Sequence, residues 1–247
     1  MVHVLPGTIE ACLFDLDGVL TDTAVIHAAA WKQAFDSLLA QRAGASGGGF
    51  RSFDAVRDYD EFVDGRPRDD GIRAFLASRG ITLDEGSPDD PPAMATVHGV
   101  GRFKNDLFVA RLAGEGIRAY PGSRRFLAAV RAEAIKCAVV SSSTNCAAVL
   151  TAAGIAGLFD VVVDGTTARR RHLAGKPAPD TYLAAARDLG VEPSRAAVFE
   201  DALAGVAAGR AGGFAWVVGI DRVDQGEALR AHGADVVVSD LAELLSA

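Results

Sequence analysis

Residues 12–23 read CLFDLDGVLTDT, an apolar run closed by Asp15 and Asp17 and followed by a glycine and a further acid between two threonines. Carboxylates crowded at the end of a buried run repel one another unless a counter-charge joins them. Because side chains alternate along an extended strand, Asp15 and Asp17 are expected to point the same way if the extended geometry persists through them. Glu200 and Asp201 close a second apolar run. A hard cation such as Mg²⁺ resolves the conflict, since it prefers oxygen ligands, commonly takes one or two carboxylates and leaves positions for water and a substrate phosphate. Asp15, Asp17, Glu200 and Asp201 are therefore expected to meet around one ion. Taken singly, each acid also reads as a turn or helix cap, Asp201 before Ala202 above all; taken together, the metal reading is stronger.

Phosphate chemistry suits the other polar run ends. Ser141, Ser142 and Ser143 offer a hydroxyl and backbone amides leading into a helical pattern, where an anion is favoured. Lys176, in GKPAPD, supplies a point charge to balance a phosphoryl group and an acceptor carboxylate. The order carries the signal: DxD, then Ser, then Lys, then ED.

Six short apolar runs are expected to hold these groups as strands of a buried parallel sheet, at 9–14, 136–141, 160–163, 197–199, 214–220 and 235–238. Helical spacing at 123–133, 145–153, 180–189, 202–211 and 226–232 alternates with them, and Gly154, Gly190, Gly212 and Gly213 fall at helix ends. The pattern predicts an α/β fold, a doubly wound parallel sheet of Rossmann-like form. Residues 23–118 break the alternation. They offer helices at 24–40, 68–79 and 104–113, a flexible GASGGG at 44–49 and SPDDPP at 87–92. The chain thus divides into a catalytic core, 1–22 plus 119–247, and an inserted helical cap domain, 23–118.

Composition narrows the class. With 247 residues, 49% of them hydrophobic, the chain can bury a large core, and a net charge of −7 argues against nucleic acid. Arg169, Arg170 and Arg171 are the longest basic run and read as a solvated loop. Cys12, Cys137 and Cys146 are odd in number, lack CxxC spacing and read as small buried hydrophobes. The amino-terminal residues carry no leader pattern, and no apolar run reaches membrane-span length, so a cytoplasmic protein with no membrane partner is expected. No GxGxxG follows the first strand, and Gly175 and Lys176 lack the rest of a nucleotide P-loop.

DLDGVLTDT, VVSSST, GKPAPD and FEDALAG together resemble, in order, the four motifs of the haloacid dehalogenase superfamily. Within it the chain is similar to the β-phosphoglucomutase-like subgroup, through the inserted cap and through DTAVIHAAAWKQAF, DGRPRDD and RFKNDLF. That resemblance implies Asp15 as nucleophile, Asp17 as general acid/base, and Ser141 and Lys176 as holders of the transferring phosphoryl group. It implies Mg²⁺ bound by Asp15, the main-chain carbonyl of Asp17, Glu200 and Asp201. It places His27, Trp31, Gly65, Arg68, Lys104, Ser142, Ser143 and Asn145 around a phosphosugar, with Arg68 on the non-transferring phosphate.

The implied reaction converts β-glucose 1-phosphate to glucose 6-phosphate, primed by glucose 1,6-bisphosphate, in a monomer supplied by a disaccharide phosphorylase. Thr144 stands where the family has lysine and Gly71 where it has serine, and 84–101 reads as an enlargement of the cap. A Mg²⁺-dependent phosphatase is the competing enzyme. A phospho-aspartate receiver switch is disfavoured, because its acidic pair precedes a separate acceptor on a later strand and it has no cap.

Overall fold

A computed structural model describes residues 5–46, 49–92 and 94–245. Two compact units divide the chain: Met1–Asp22 with Ile117–Ala247, and Thr23–Gly116.

The first unit is built on six strands: β1 (Ala11–Phe14), β2 (Lys136–Val140), β3 (Val161–Val163), β4 (Ala196–Glu200), β5 (Trp216–Ile220) and β6 (Val236–Val238). All pair in parallel, in the order β3-β2-β1-β4-β5-β6. β1 and β4 are buried at every position, as expected of central strands covered on both faces. Phe14 stacks on Phe199 across the β1–β4 pair, with ring centroids 4.7 Å apart, and Phe126 meets both rings at an angle. This is the doubly wound sheet expected from the run pattern. The strands run one or two residues away from the expected limits at several ends.

Among the described residues, six α-helices accompany the sheet: α4 (Pro121–Ala132), α5 (Cys146–Ala152), α6 (Gly165–Arg170), α7 (Asp180–Leu189), α8 (Leu203–Ala211) and α9 (Gly226–Ala231). Proline opens α4, where its missing N–H costs no bond. Gly190, at φ 66°, closes α7. Gly154 and Gly213 also take positive φ, whereas Gly212 stays right-handed and only Gly213 makes the turn. The basic run is not a loop. Arg169 and Arg170 end α6, and Arg171 pairs with Asp188 at 2.5 Å. α6 was hidden by its short TTARR sequence and is fixed by Asp164, whose Oδ1 accepts from the Thr167 amide at 2.7 Å. All three cysteines are buried, and burial pushes the thiol of Cys137 up to about 12, so they are packing residues.

The second unit packs α1 (Ala24–Ser46), a π-turn (Tyr59–Val63), α2 (Arg68–Ser78) and α3 (Val97–Glu115) around Phe35, Phe53, Phe75, Trp31 and Ile72. Two expectations change. Helix α1 continues through Gly44, Ala45 and Ser46, so only part of the GASGGG run interrupts it; residues 47 and 48 lie outside the described residues, as do 1–4. α3 begins at Val97, capped by Thr96 Oγ1 accepting from the Gly99 amide at 3.1 Å, so the end of the segment read as an enlargement is helix. The rest of that segment is pinned by the Asp84–Thr96 bridge and by Arg73, which reaches Glu85 at 2.6 and 2.8 Å. Gly71 packs on the π-turn. A Cβ there would lie 3.1 Å from Val63 Cγ1 and 3.2 Å from Val63 Cα, which favours glycine over the family serine. No helix among the described residues is long and apolar enough to cross a membrane.

Candidate active site

The strand order reverses between β1 and β4, and ligands of open α/β sheets bind outside the carboxyl ends of strands at such a switch point. Asp15 leaves the end of β1, its amide still bonded to the Phe199 carbonyl at 3.0 Å. Glu200 ends β4, and Asp201 follows it. Carboxylate oxygens of Asp15, Glu200 and Asp201 lie within 4.8 Å of one another, and all three residues are buried.

Lys176, 2% exposed, answers part of this charge. Its ammonium donates to Asp15 Oδ1 at 2.5 Å and to the Val140 carbonyl at 3.0 Å, and lies 2.6 Å from Glu200 Oε1. Tyr182 donates its hydroxyl to the same Glu200 oxygen at 2.7 Å, and the Ala202 amide donates to Glu200 Oε2 at 3.2 Å. Burial pushes the Asp15 carboxyl well above the usual carboxylate range, with Glu200 and Asp17 adding to the push and Lys176 opposing it. Burial alone would pull Lys176 down, but Asp15 and Glu200 outweigh it and hold the ammonium charged. The geometry and the lysine's direction agree on an ion pair; the rise at Asp15 comes first from burial and then from the neighbouring carboxylates, against which the one ammonium acts.

Three buried carboxylates against one ammonium leave two negative charges, the deficit a divalent cation cancels. Hard oxygen donors and carboxylates tethered on separate strands suit Mg²⁺. The backbone is cut to fit the acids: a Cβ on Gly18 would lie 1.7 Å from Asp201 Oδ2, and one on Gly205 would lie 1.8 Å from Glu200 Oε1.

Asp17 departs from the simplest expectation. β1 ends at Phe14, so Asp15 and Asp17 do not share an extended strand, and the Asp17 carboxylate is outside the cluster of three. It sits in a tight turn, bridged to Thr21, in which the Gly18 amide donates to the Thr21 carbonyl at 2.8 Å. Asp201 is not a helix cap either. The capping position of α8 is Ala202, with no side-chain bond.

Ser141, 3% exposed, follows β2, and its Oγ accepts from the Ser143 amide at 3.1 Å, while Ser143 Oγ accepts from the Asn145 amide at 3.1 Å. The Ser143 N–H is thus engaged within the loop rather than held open as a donor. Ser142 and Asn145 are half-buried in the same loop, and a Cβ on Gly165 would lie 2.5 Å from the Ser142 carbonyl.

In the helical unit, Lys104 is 5% exposed and its ammonium lies 2.6 Å from His27 Nδ1. A charged lysine donates there, which places the ring proton of a neutral His27 on Nε2. His27 stacks on Phe108 at 4.0 Å, and Lys104 lies over the rings of Trp31 and Phe108 at 4.9 and 5.1 Å. Trp31 also stacks on Phe35, so it serves the core as well as the lysine. Arg68 donates to Asn105 Oδ1 at 2.8 Å, and Gly65 turns the chain at φ 69° just before α2. Sequence reasoning passed over Tyr182, Asn105 and Phe108. Tyr182 lies two residues into the helix after GKPAPD, Phe108 lies four residues beyond Lys104 on the same face of α3, and Asn105 is the residue after Lys104.

The whole-chain similarities agree with this geometry. A β-phosphoglucomutase of Mycobacterium tuberculosis is 56% identical over 244 residues, covering 98% of this chain and 93% of the relative. A module within an uncharacterized glycosyl hydrolase of the same organism is 34% identical over 94% of this chain, while spanning 17% of that protein. The crystal structure of β-phosphoglucomutase from Clostridium difficile superimposes with a TM-score of 0.74 at 26% identity, covering 96% of this chain and 93% of the other. The family model of the haloacid dehalogenase-like hydrolases matches residues 9–213, and the chain belongs to that family.

Proposed function

We propose that the chain is a β-phosphoglucomutase, converting β-glucose 1-phosphate to glucose 6-phosphate through a phosphoaspartate on Asp15 and a glucose 1,6-bisphosphate intermediate. The observation that carries this reading is the buried Lys176–Asp15 pair at the sheet's switch point, beside Glu200 and Asp201, in a chain more than half identical to a relative of that name.

Asp15 attacks the phosphorus of the bisphosphate and releases a sugar hydroxyl; Asp17 donates the proton to that leaving oxygen. A β-glucose 1-phosphate then presents its C6 hydroxyl, Asp17 takes the proton, and the phosphoryl group passes from Asp15 to that oxygen, regenerating glucose 1,6-bisphosphate, whose C1 phosphate is next transferred to Asp15 as glucose 6-phosphate leaves. Lys176 and the Ser141 hydroxyl hold phosphoryl oxygens in place, so catalysis is chiefly positioning and charge neutralisation. Asp15, Glu200, Asp201 and the main-chain carbonyl of Asp17 would hold Mg²⁺, which when bound neutralises the phosphoryl oxygens and keeps Asp15 ionised. Arg68 takes the non-transferring phosphate. Gly65, His27, Trp31, Lys104, Ser142, Ser143 and Asn145 bind the sugar and its second phosphate.

The role of the helical unit as a cap, a monomeric state and a cytoplasmic setting belong to the same proposal. So does supply by a disaccharide phosphorylase; occurrence of a similar module within a glycosyl hydrolase-named protein supports coupling to glycoside breakdown. The deciding assay gives the purified protein β-glucose 1-phosphate with Mg²⁺ and catalytic glucose 1,6-bisphosphate. Glucose 6-phosphate is the expected product, with the α anomer a poor substrate. Rapid release of inorganic phosphate without glucose 6-phosphate would make the enzyme a phosphatase.

A further inference from the structure

We infer that Arg222 is a positioning residue for Asp17, holding the turn that carries this acid/base from the loop that follows β5. Asp17 lies in a turn whose amides are bonded locally: Gly18 to the Thr21 carbonyl, and Leu20 and Thr21 to the Leu16 carbonyl. Two of the turn's outward carbonyls are held from elsewhere in the same unit. Ser123 Oγ donates to the Val19 carbonyl at 2.7 Å, and Arg222 Nε donates to the Gly18 carbonyl at 2.7 Å. This bond fixes the Gly18–Val19 peptide, one residue beyond Asp17, and so holds the turn in which the acid sits.

Arg222 is itself fixed. Its Nη1 donates to the Ser239 carbonyl at 2.8 Å, and its guanidinium lies 3.9 Å from the centre of the Tyr120 ring. A planar fork bonded along two edges and stacked on an aromatic face has little freedom. The loop bearing it is rigid, because Asp221 Oδ1 accepts from the amides of Val223 and Gln225 at 3.3 and 2.9 Å. Gln225 reaches back to donate from Nε2 to the Asp201 carbonyl at 3.0 Å. One loop therefore grips both the turn of Asp17 and the backbone of Asp201, the two segments brought so close that Gly18 has no room for a Cβ beside Asp201. A general acid misplaced by about an ångström costs on the order of 100-fold in rate.

The inference rests on Asp17 acting as the acid/base, and its test separates proton transfer from the rest of the chemistry. Arg222→Met, which removes the donors, and Arg222→Lys, which keeps the charge and one donor, are compared with wild type. The substrates are β-glucose 1-phosphate and p-nitrophenyl phosphate, whose leaving group needs little protonation; the first turnover of p-nitrophenol release reports attack by Asp15 alone. Arg222→Met is expected to lower kcat for the sugar phosphate by roughly 10- to 100-fold, with KM within about two-fold and the p-nitrophenol burst rate within about three-fold. Arg222→Lys should recover part of the lost kcat and show the same selectivity, and it carries the test if Arg222→Met does not fold. Parallel loss on both substrates, or no loss on either, overturns the inference. A wild type that hydrolyses the sugar phosphate instead of isomerising it would defeat the mutase reading, yet leave this comparison intact, because an alkoxide leaving group still needs its proton.

Discussion

The ammonium of Lys176 donates to Asp15 Oδ1 at 2.5 Å in a place where solvent reaches almost none of either side chain. The same nitrogen lies 2.6 Å from Glu200, so one cation from the loop before α7 joins carboxylates from β1 and β4. Removing it should be costly in a way that pH reveals. Lys176→Met leaves buried carboxylates uncompensated, a change worth about 3–5 kcal/mol. Loss of the lysine also lets the raised pKa of Asp15 rise further. A carboxyl whose folded pKa lies above its unfolded value adds stability that is present at low pH and is lost as pH rises through the folded pKa. Urea unfolding in EDTA should therefore find Lys176→Met far less stable than wild type at pH 8 and closer to it at pH 5.

The same charge balance predicts a response to metal. Mg²⁺ should raise the thermal midpoint of the wild type, and EDTA should lower it; at a concentration 100 times the dissociation constant, linkage amounts to about 2.7 kcal/mol. Glu200→Gln keeps the acceptor for Tyr182 but removes one negative charge, so its Mg²⁺-dependent shift should fall to less than half. Gly18→Ala should lose the shift as well, since its Cβ would occupy the place of Asp201 Oδ2 at a positive φ. An unchanged shift in both variants would remove this cluster as the metal site.

Asp60 offers a test of stability away from the chemistry. Partial burial on the π-turn, with Asp54 nearby, pushes its carboxyl up to about 6. The unfolded chain releases that proton near the ordinary value, so the folded state is penalised increasingly as pH climbs from about 4 to 6. Asp60→Asn should stabilise the protein by roughly 1 kcal/mol at pH 7, after discounting for solvent screening, and by nothing below pH 4. Chemical denaturation at the two pH values measures the difference.

How far the sequence reaches is clearest around Asp15. Apolar runs ending in acids, serines and a lysine were enough to place Asp15, Ser141, Lys176, Glu200 and Asp201 near one sheet end, because a parallel sheet forces such endings together. The alternation argument does not reach Asp17, since the strand stops at Phe14 and a turn takes over. Arg222 was illegible. Nothing in IDRVDQG marks an arginine that acts through a backbone carbonyl more than two hundred residues away. Helix α6 was missed for the opposite reason: six residues with two threonines have no apolar period, and a single cap settles their conformation. The joining of Arg68 to Asn105 depended on the packing of α2 against α3, which spacing within either helix does not encode.

That bond between Arg68 and Asn105 makes a prediction of its own. Arg68 loses part of its freedom when Nη2 donates to Asn105 Oδ1 at 2.8 Å, and Gly101 approaches so near that a Cβ there would lie 3.1 Å from Arg68 Cδ. A guanidinium held in advance loses less entropy on taking up a phosphate. Asn105→Ala frees it without touching its charge. KM for glucose 1,6-bisphosphate should rise by roughly 3- to 10-fold, about 1 kcal/mol, the entropy of one long side chain. Arg68→Ala should raise it considerably more, because the charge-assisted bonds are lost as well. A small ester such as p-nitrophenyl phosphate has no second phosphate for Arg68, so its KM should be unaffected by either variant. Asn105→Asp is the sharper comparison: the carboxylate would hold Arg68 in place but compete with the incoming phosphate, giving a larger rise in KM than Asn105→Ala. Steady-state kinetics of the three variants on both substrates decide it. Equal increases for the two substrates would mean that Arg68 supports the fold of the helical unit and does not read a distal phosphate.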